Sequence, residues 1–438
     1  MTNLLLTVPG PDINLYKSGF EGVCRLGRAK DGKKLSRLVE DISEPMVIAV
    51  DAPWGAGKSV FLKCWVGAHT QENQGKARTV YFDAFKHDFM DDPLIGLTGT
   101  INERLGESGS EAKLWRKAKE AASKLALPAI RMGLAIGTAG TSEYAGAVVD
   151  AALAAGSSEL QKASEQFWRK EDGKRSAMQG FREALLELAA EQKLVIVVDE
   201  LDRCRPDYAL TLLEVIKHFF DVPNVHFVLG VNMKELANSV RARYGAGTQA
   251  DRYLQKFVTL SMPLVPPRSQ RNPSGLLRQH FEYTCEKLDL SARWQANWLH
   301  DYLRLVDHHA GLSLRDVEKI ATLAAVTPEP SQKREVNPHL YAGLLILQVA
   351  SPSAVEHARQ RRLREEDVFQ VFHLRKKPSE SGLDFDAHVV WTILASSPGA
   401  SLPQYIRQAE VELFQKQDPS EVLRDAIAET LDVFQTTF

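Results

Sequence analysis

Residues 46–62 read Met46-Val-Ile-Ala-Val-Asp-Ala-Pro-Trp-Gly-Ala-Gly-Lys-Ser-Val-Phe-Leu62. Met46 to Val50 is an apolar run of buried-strand type. Pro53 to Gly57 is turn chemistry, and the segment from Lys58 onward can wind into a helix that carries Val60, Phe61, Cys64 and Trp65 on one face. A strand, a tight glycine loop and a helix opening on Lys-Ser is the P-loop pattern, which cradles nucleotide phosphates. The N–H groups at such a helix start lack partners, and the helix dipole favours an anion there. The expected phosphate-binding residues are therefore Trp54, Gly55, Ala56, Gly57, Lys58, Ser59 and Val60. Lys58 is expected to neutralise the β- and γ-phosphates of ATP and the Ser59 hydroxyl to ligate Mg²⁺. The usual first glycine of the pattern is Ala52 here, which requires a negative φ at that position.

Working outward, the chain has 438 residues, a net charge of −2 and 44% hydrophobic residues. That is enough for two or three domains with a sizeable core, and a near-neutral balance does not mark the whole chain as a nucleic-acid binder. Cys24, Cys64, Cys204 and Cys285 are widely spread without metal-ligand spacing, and read as buried thiols of a reducing compartment. The N-terminal residues lack a positive region followed by a long apolar core, so a cytoplasmic location is the default expectation.

The second decisive stretch is Leu194-Val-Ile-Val-Val-Asp-Glu-Leu-Asp-Arg-Cys-Arg-Pro206. A β-branched run ending in two acids marks a buried parallel strand with carboxylates at its C-terminal edge, a Walker B element. Asp199 is the expected Mg²⁺ ligand, direct or through water, and Glu200 is placed to polarise the attacking water. Asp202 and Arg203 can pair with each other, or Arg203 can reach the phosphates. Val225 to Val231 is the next buried strand, and Asn232 follows it. That asparagine is either a polar sensor of the γ-phosphate and attacking water or the cap of the helix from Met233 to Ala242. Asn232-Met-Lys-Glu is not the guanine-selecting Asn-Lys-x-Asp signature, which favours ATP over GTP.

The remaining segments fall into place around these. Residues 1–17 read as a leader and 18–265 as the nucleotide domain, with a helix within 18–43 and a second strand at Ala77 to Phe85. An Ala/Gly-rich helical insertion occupies about residues 106–176. Its two apolar runs are each shorter than a spanning helix needs and each carries a charge, so membrane contact is not the favoured reading. Arg252 and Lys256 lie four apart on one helical face. They suit a phosphate of this subunit or of a neighbouring one, or a solvated basic face. Residues 266–350 read as a helical lid. There Ser313 is a helix N-cap, and Arg315 sits near the helix start, where a cation is poorly placed without an anionic partner. Residues 351–438 form a C-terminal helical region. Its basic clusters, His357 to Arg364 and Arg375-Lys-Lys, lack interleaved aromatic residues and fit a solvated or protein-binding face better than a nucleic-acid track. The expected fold is a parallel α/β sheet with helices on both faces, followed by an α-helical lid and C-terminal domain.

Trp54-Gly-Ala-Gly-Lys-Ser, Phe82-Asp-Ala-Phe, Val198-Asp-Glu-Leu-Asp-Arg-Cys, Phe227-Val-Leu-Gly-Val-Asn, Tyr253-Leu-Gln-Lys and Ser313-Leu-Arg-Asp-Val together resemble the KAP family of P-loop NTPases. The resemblance covers about residues 20–350 and implies a signalling ATPase similar to the STAND group. Members often carry transmembrane helices between the two Walker elements; the Ala/Gly runs here look like a soluble counterpart. The family's Asn-Ala-Trp is Asp83-Ala84-Phe85, and its sensor aspartate is Asn232. Bacterial relatives occur in phage exclusion and multi-gene defence systems, which implies a defence role with protein partners or an effector, in a homo-oligomer or other assembly. Hydrolysis would use Glu200 as base, with Lys58, Asn232, Arg252 and Arg315 as further candidates around the phosphates.

Overall fold

A computed structural model describes residues 10–24, 26–90, 92–105, 175, 178–264, 273–291, 294–306, 311–327, 337–374, 381–396, 401–415 and 417–432. The Ala/Gly-rich insertion expected at 106–176 apart from Arg175, the basic Arg375-Lys-Lys run and most of the expected leader lie outside the described residues. The chain divides into two compact units, Asp12–Pro53 with Lys58–Val265, and Met1–Pro11 with Trp54–Gly57 and Pro266–Phe438.

The first unit is an α/β layer structure. Helix α1 (Ala29–Asp41) leads to strand β1 (Met46–Asp51), and helix α2 (Lys58–Gln71) leads to β2 (Arg78–Asp83). Short α3 (Ala84–His87), α4 (Pro93–Leu105) and a helix over residues 178–191, α5, precede β3 (Leu194–Asp199). Helix α6 (Pro206–Lys217), β4 (Val225–Val231), α7 (Met233–Tyr244), α8 (Ala250–Leu254) and β5 (Leu260–Pro263) complete it. The five strands lie in the order β2-β3-β4-β1-β5, and every pairing is parallel. Parallel strands covered by helices on both faces must be apolar along their length. β3 and β4 are accordingly buried at every residue.

The strand order has one consequence for chemistry. β4 lies between β1 and β3, so the loop that follows β1 and the acids that end β3 are separated by one strand. Three of the strands end in aspartate. Asp83 stands in register with Asp199, Asp199 with Gly230, and Asp51 with Val231. The C-terminal edge of the sheet is therefore an acidic rim.

β5 was not foreseen. It is four residues long, largely exposed, and ends in Pro263. An edge position is where a strand tolerates proline, and so short a run carries little periodic signal. The expected Arg252/Lys256 helical face is also corrected, because α8 stops at Leu254 and Lys256 falls in the turn beyond it.

Among the described residues of the second unit the regular elements are helices, apart from a single bridge between Val306 and Phe372. Its best-defined start is the helix Leu314–Val326, α11 in chain order after Pro273–Lys287 and Trp294–Tyr302. Ser313 caps it with a reciprocal capping box, Ser313 Oγ accepting from the Asp316 N–H while the Asp316 carboxylate accepts from Ser313 N–H. In the basic cluster His357 to Arg364, four side chains meet acids: His357 and Arg364 with Asp367, Arg359 with Asp432 and Glu356, and Arg361 with Glu421. Among the described residues no helix is long and apolar enough to cross a membrane. Cys64, Cys204 and Cys285 are buried thiols, whereas Cys24 is only half-buried.

Candidate functional site

The loop between β1 and α2 takes the left-handed backbone at two positions, Gly55 (φ 76°) and Gly57 (φ 79°). Both are glycines because an L side chain at such φ meets the carbonyl oxygen that follows it. Ala52 is not among the residues with positive φ, so the missing first glycine costs the loop nothing at its entry. Lys58 opens α2 and is buried; its Nζ donates to the carbonyl of Ala52 at 2.6 Å and of Pro53 at 3.5 Å. Burial lowers its pKa, opposed by the charges of Asp202, Asp199 and Asp51.

Ser59, the second residue of α2, donates its hydroxyl to Glu200 Oε1 at 3.0 Å. Thus the helix start after the glycine loop and the acidic end of β3, 141 residues apart, share one hydrogen bond. The same Glu200 oxygen accepts from the Arg203 guanidinium at 3.0 Å. Glu200 itself has φ 60°, an unusual value for a residue with a Cβ, and such strain clusters at functional positions. The turn Leu201–Arg203 that follows brings Arg203 back over the glutamate, and the ion pair it makes with Glu200 is neither of the two roles left open for it.

Asp199 is completely buried. Its Oδ1 accepts the Glu200 N–H at 2.9 Å and its Oδ2 accepts the Tyr81 hydroxyl at 2.6 Å. Burial pushes its carboxyl up to about 6, against the hydrogen bonds of Tyr81 and Ser59, which favour the charged form. The other two acids of the rim are committed to helix starts. Asp83 caps α3 by accepting from the Lys86 N–H, and Asp51 accepts from the Met233 N–H at 2.9 Å. Only Asp199, with Glu200 beside it, is held by side chain and local backbone without serving as a cap.

Asn232 follows β4 and precedes α7, but its side chain makes no capping bond. The Met233 N–H at the start of that helix is taken by Asp51 from the neighbouring strand. Of the two readings of this residue, capping is corrected; its amide stands at the C-terminal end of the strand between Lys58's loop and Asp199. Arg252 is exposed on α8, with its guanidinium donating to the Gln249 side chain at 3.3 Å. Arg315 is exposed in the first turn of α11, in the other compact unit. The structure thus brings together Lys58, Ser59, Asp199 and Glu200 with Arg203, for which a phosphate role was left open, and adds Tyr81, which sequence reasoning did not assign to the site. The signal for Tyr81 was slight: a polar-tipped ring within a buried strand needs a partner for its hydroxyl.

The donor set suits a hard divalent cation. A hydroxyl and two carboxylates are oxygen ligands, and the acids near Lys58 outnumber the cations. Among the described residues no group of three or more His, Cys, Asp or Glu forms a metal cage. Mg²⁺ asks for none, since it is held by one or two protein ligands together with phosphates and water.

Several solved structures are similar to this chain at low identity. They are the Aeropyrum pernix ORC2 protein in ADPNP–ADP complexes (14% identity, 96% of this chain and 99% of that one, TM-score 0.37), the Pyrobaculum aerophilum CDC6P (11%, 94% and 95%, TM-score 0.37), and C. elegans PCH-2 (11%, 77% and 76%, TM-score 0.33). At such scores they bear on none of the inferences below. No curated protein matches. The family comparison is decisive: the KAP family P-loop domain matches residues 29–328, which takes in both acidic and glycine-rich stretches and well over half of the chain. This chain belongs to the KAP family of P-loop NTPases.

Proposed function

We propose that this chain binds ATP with Mg²⁺ and hydrolyses it, acting as a regulated switch within a multi-protein assembly. The observation that carries the reading is the Ser59–Glu200 hydrogen bond at 3.0 Å, which puts the start of the P-loop helix and the acidic strand end into one site. Backbone N–H groups of the loop from Trp54 to Val60 would take the phosphates, and Lys58 would exchange its loop carbonyls for phosphate oxygens. Ser59 and Asp199 would hold Mg²⁺, whose chemistry there is neutralisation of phosphate charge. Glu200 would accept a proton from the attacking water. Asn232 is proposed to orient that water, and Arg252 and Arg315 to meet phosphate charge. The absence of a guanine-selecting motif favours ATP as the substrate. A place in phage defence is carried by the family resemblance alone.

The test is steady-state phosphate release from ATP by the wild-type chain and by Glu200→Gln. The variant is expected to bind ATP as the wild type does and to turn it over about 10²–10⁴-fold more slowly. Undiminished turnover would remove Glu200 as the base.

A second reading, a nucleotide-gated interaction module that hydrolyses little, is favoured by one specific feature. Glu200 Oε1 is shared by Ser59 and Arg203, and a carboxylate so engaged is a poor base until one bond is released. Phosphate release measured with and without co-purifying partners separates the two readings. A DNA-stimulated ATPase gains no support from the 357–364 cluster, whose ion pairs already use much of its charge; ATPase activity raised by DNA at low salt and lost at high salt would revive it.

A further inference from the structure

We propose that Tyr81 is a positioning residue for the Mg²⁺–nucleotide site, acting through Asp199. This rests on the nucleotide reading above and assigns a role to a residue that no motif marks.

Tyr81 lies on β2, opposite Val197 of β3. It shares a face with Thr79, whose hydroxyl donates to the Val66 carbonyl of α2 at 3.0 Å. Side chains alternate along a strand, so Tyr81 stands on the side of the sheet that carries the P-loop helix. The ring is buried, with the Lys63 ammonium 5.6 Å from its centroid. Its backbone N–H is fixed by the Tyr16 hydroxyl at 3.0 Å. From there the phenol reaches one strand across and two residues along to Asp199 Oδ2, at 2.6 Å.

The geometry of Asp199 explains why that bond matters. A carboxylate held at one oxygen can pivot about its last torsion, which is broad for aspartate. Here the Glu200 N–H holds Oδ1 and the Tyr81 O–H holds Oδ2, so both ends are pinned. The neighbouring strand leaves the space this requires: a Cβ on Gly230 would lie 2.3 Å from Asp199 Oδ1. A phenylalanine would pack the same ring volume without burying a polar group. The hydroxyl is thus needed for the carboxylate rather than for the core. It is spent on the one aspartate of the acidic rim that caps no helix.

The experiment is titration of a fluorescent ATP analogue into wild type, Tyr81→Phe, Asp199→Asn and the double variant, each in EDTA and in excess Mg²⁺, with thermal melting to report folding. The wild type should bind more tightly with Mg²⁺ than without. Tyr81→Phe should match wild-type binding in EDTA but lose about tenfold of the Mg²⁺-dependent gain, the effect of one charge-assisted hydrogen bond. In the Asp199→Asn background the Tyr81 substitution should change that gain no further. An undiminished gain in a folded Tyr81→Phe chain, or additive losses in the double variant, would overturn the proposal and leave Tyr81 a packing residue. If the wild type bound nucleotide equally with and without Mg²⁺, the proposal would fall while the nucleotide reading stood. If it bound no nucleotide, both would fall.

Discussion

Helix α2 starts in one buried polar cluster and ends in another, and the two are built on opposite terms. At its C-terminal end Ser36 Oγ accepts from Trp65 Nε1 and Asn73 Nδ2, both at 3.1 Å. Both of those groups are donors only, so the hydroxyl proton goes to His69 Nδ1 at 2.9 Å. His69 Nε2 then carries the proton it gives to Glu40 Oε1 at 3.1 Å. The same oxygen accepts the N–H groups of Lys76 and Ala77, at 2.6 and 2.8 Å. Serine, histidine and glutamate stand in the order of a hydrolytic triad. Yet Ser36 and His69 are buried, and the serine's lone pairs and proton are all committed. The cluster ties α1 to α2. At the N-terminal end, by contrast, Lys58 rests on loop carbonyls and one Glu200 oxygen is contested by Ser59 and Arg203. The backbone is left-handed at Gly55, Gly57 and Glu200. Balanced bonding marks the staple, while surplus charge and strained backbone mark the site.

The sharpest way to break this contrast is Lys58→Ala. If the N-terminal cluster exists for a phosphate ligand, the substitution should weaken nucleotide binding and slow turnover about 10²–10³-fold, the scale of one lost electrostatic stabiliser. It should barely move the melting temperature, because burial already disfavours the ammonium. A large fall in stability with nucleotide affinity intact would mean that this end, too, is only a staple.

The corresponding change at the other end is Glu40→Ala. It removes the acceptor of three N–H donors at once, and is expected to cost about 3 kcal/mol of unfolding free energy, read from urea denaturation. Nucleotide affinity of the folded fraction should be unchanged. A drop in affinity equal to that of Lys58→Ala would erase the distinction between the two ends.

This contrast also separates what the sequence disclosed from what it hid. β1, the glycine loop and the opening of α2 are contiguous, and each residue type has its own local reason. Asp199 and Glu200 were legible because a buried parallel strand that ends in acids can expose them only at its C-terminal edge. What escaped was non-local. The Met233 N–H that opens α7 is claimed by Asp51, 182 positions upstream. Tyr81 reaches Asp199 across 118 positions, and no spacing rule spans that distance. The ion pairs of the His357 to Arg364 cluster reach from Glu356 and Asp367 to Glu421 and Asp432, which the local run of basic residues did not disclose.

The smallest effect, and the finest test of the comparison, is the slope of stability with pH. Burial acts on both clusters but with opposite sign. At Asp199 it raises the pKa from the ordinary 3.8 to about 6, so between those values the folded state binds the proton more readily than the unfolded chain. Stability from this group is therefore lost as pH rises through about 6 and regained on acidification. At His69 burial lowers the pKa from the ordinary 6.5, with Glu40 opposing. Just below 6.5 the unfolded chain binds the proton more readily, and stability is lost as pH falls. Each group contributes at most about 1.4 kcal/mol per pH unit, so in the wild type the two partly cancel. Urea unfolding in EDTA between pH 7 and pH 5 should show Asp199→Asn losing stability on acidification more steeply than wild type, and His69→Gln less steeply. Three parallel curves would mean that neither group changes its proton affinity on folding. The contrast between a balanced and an unbalanced cluster would then rest on bond geometry alone.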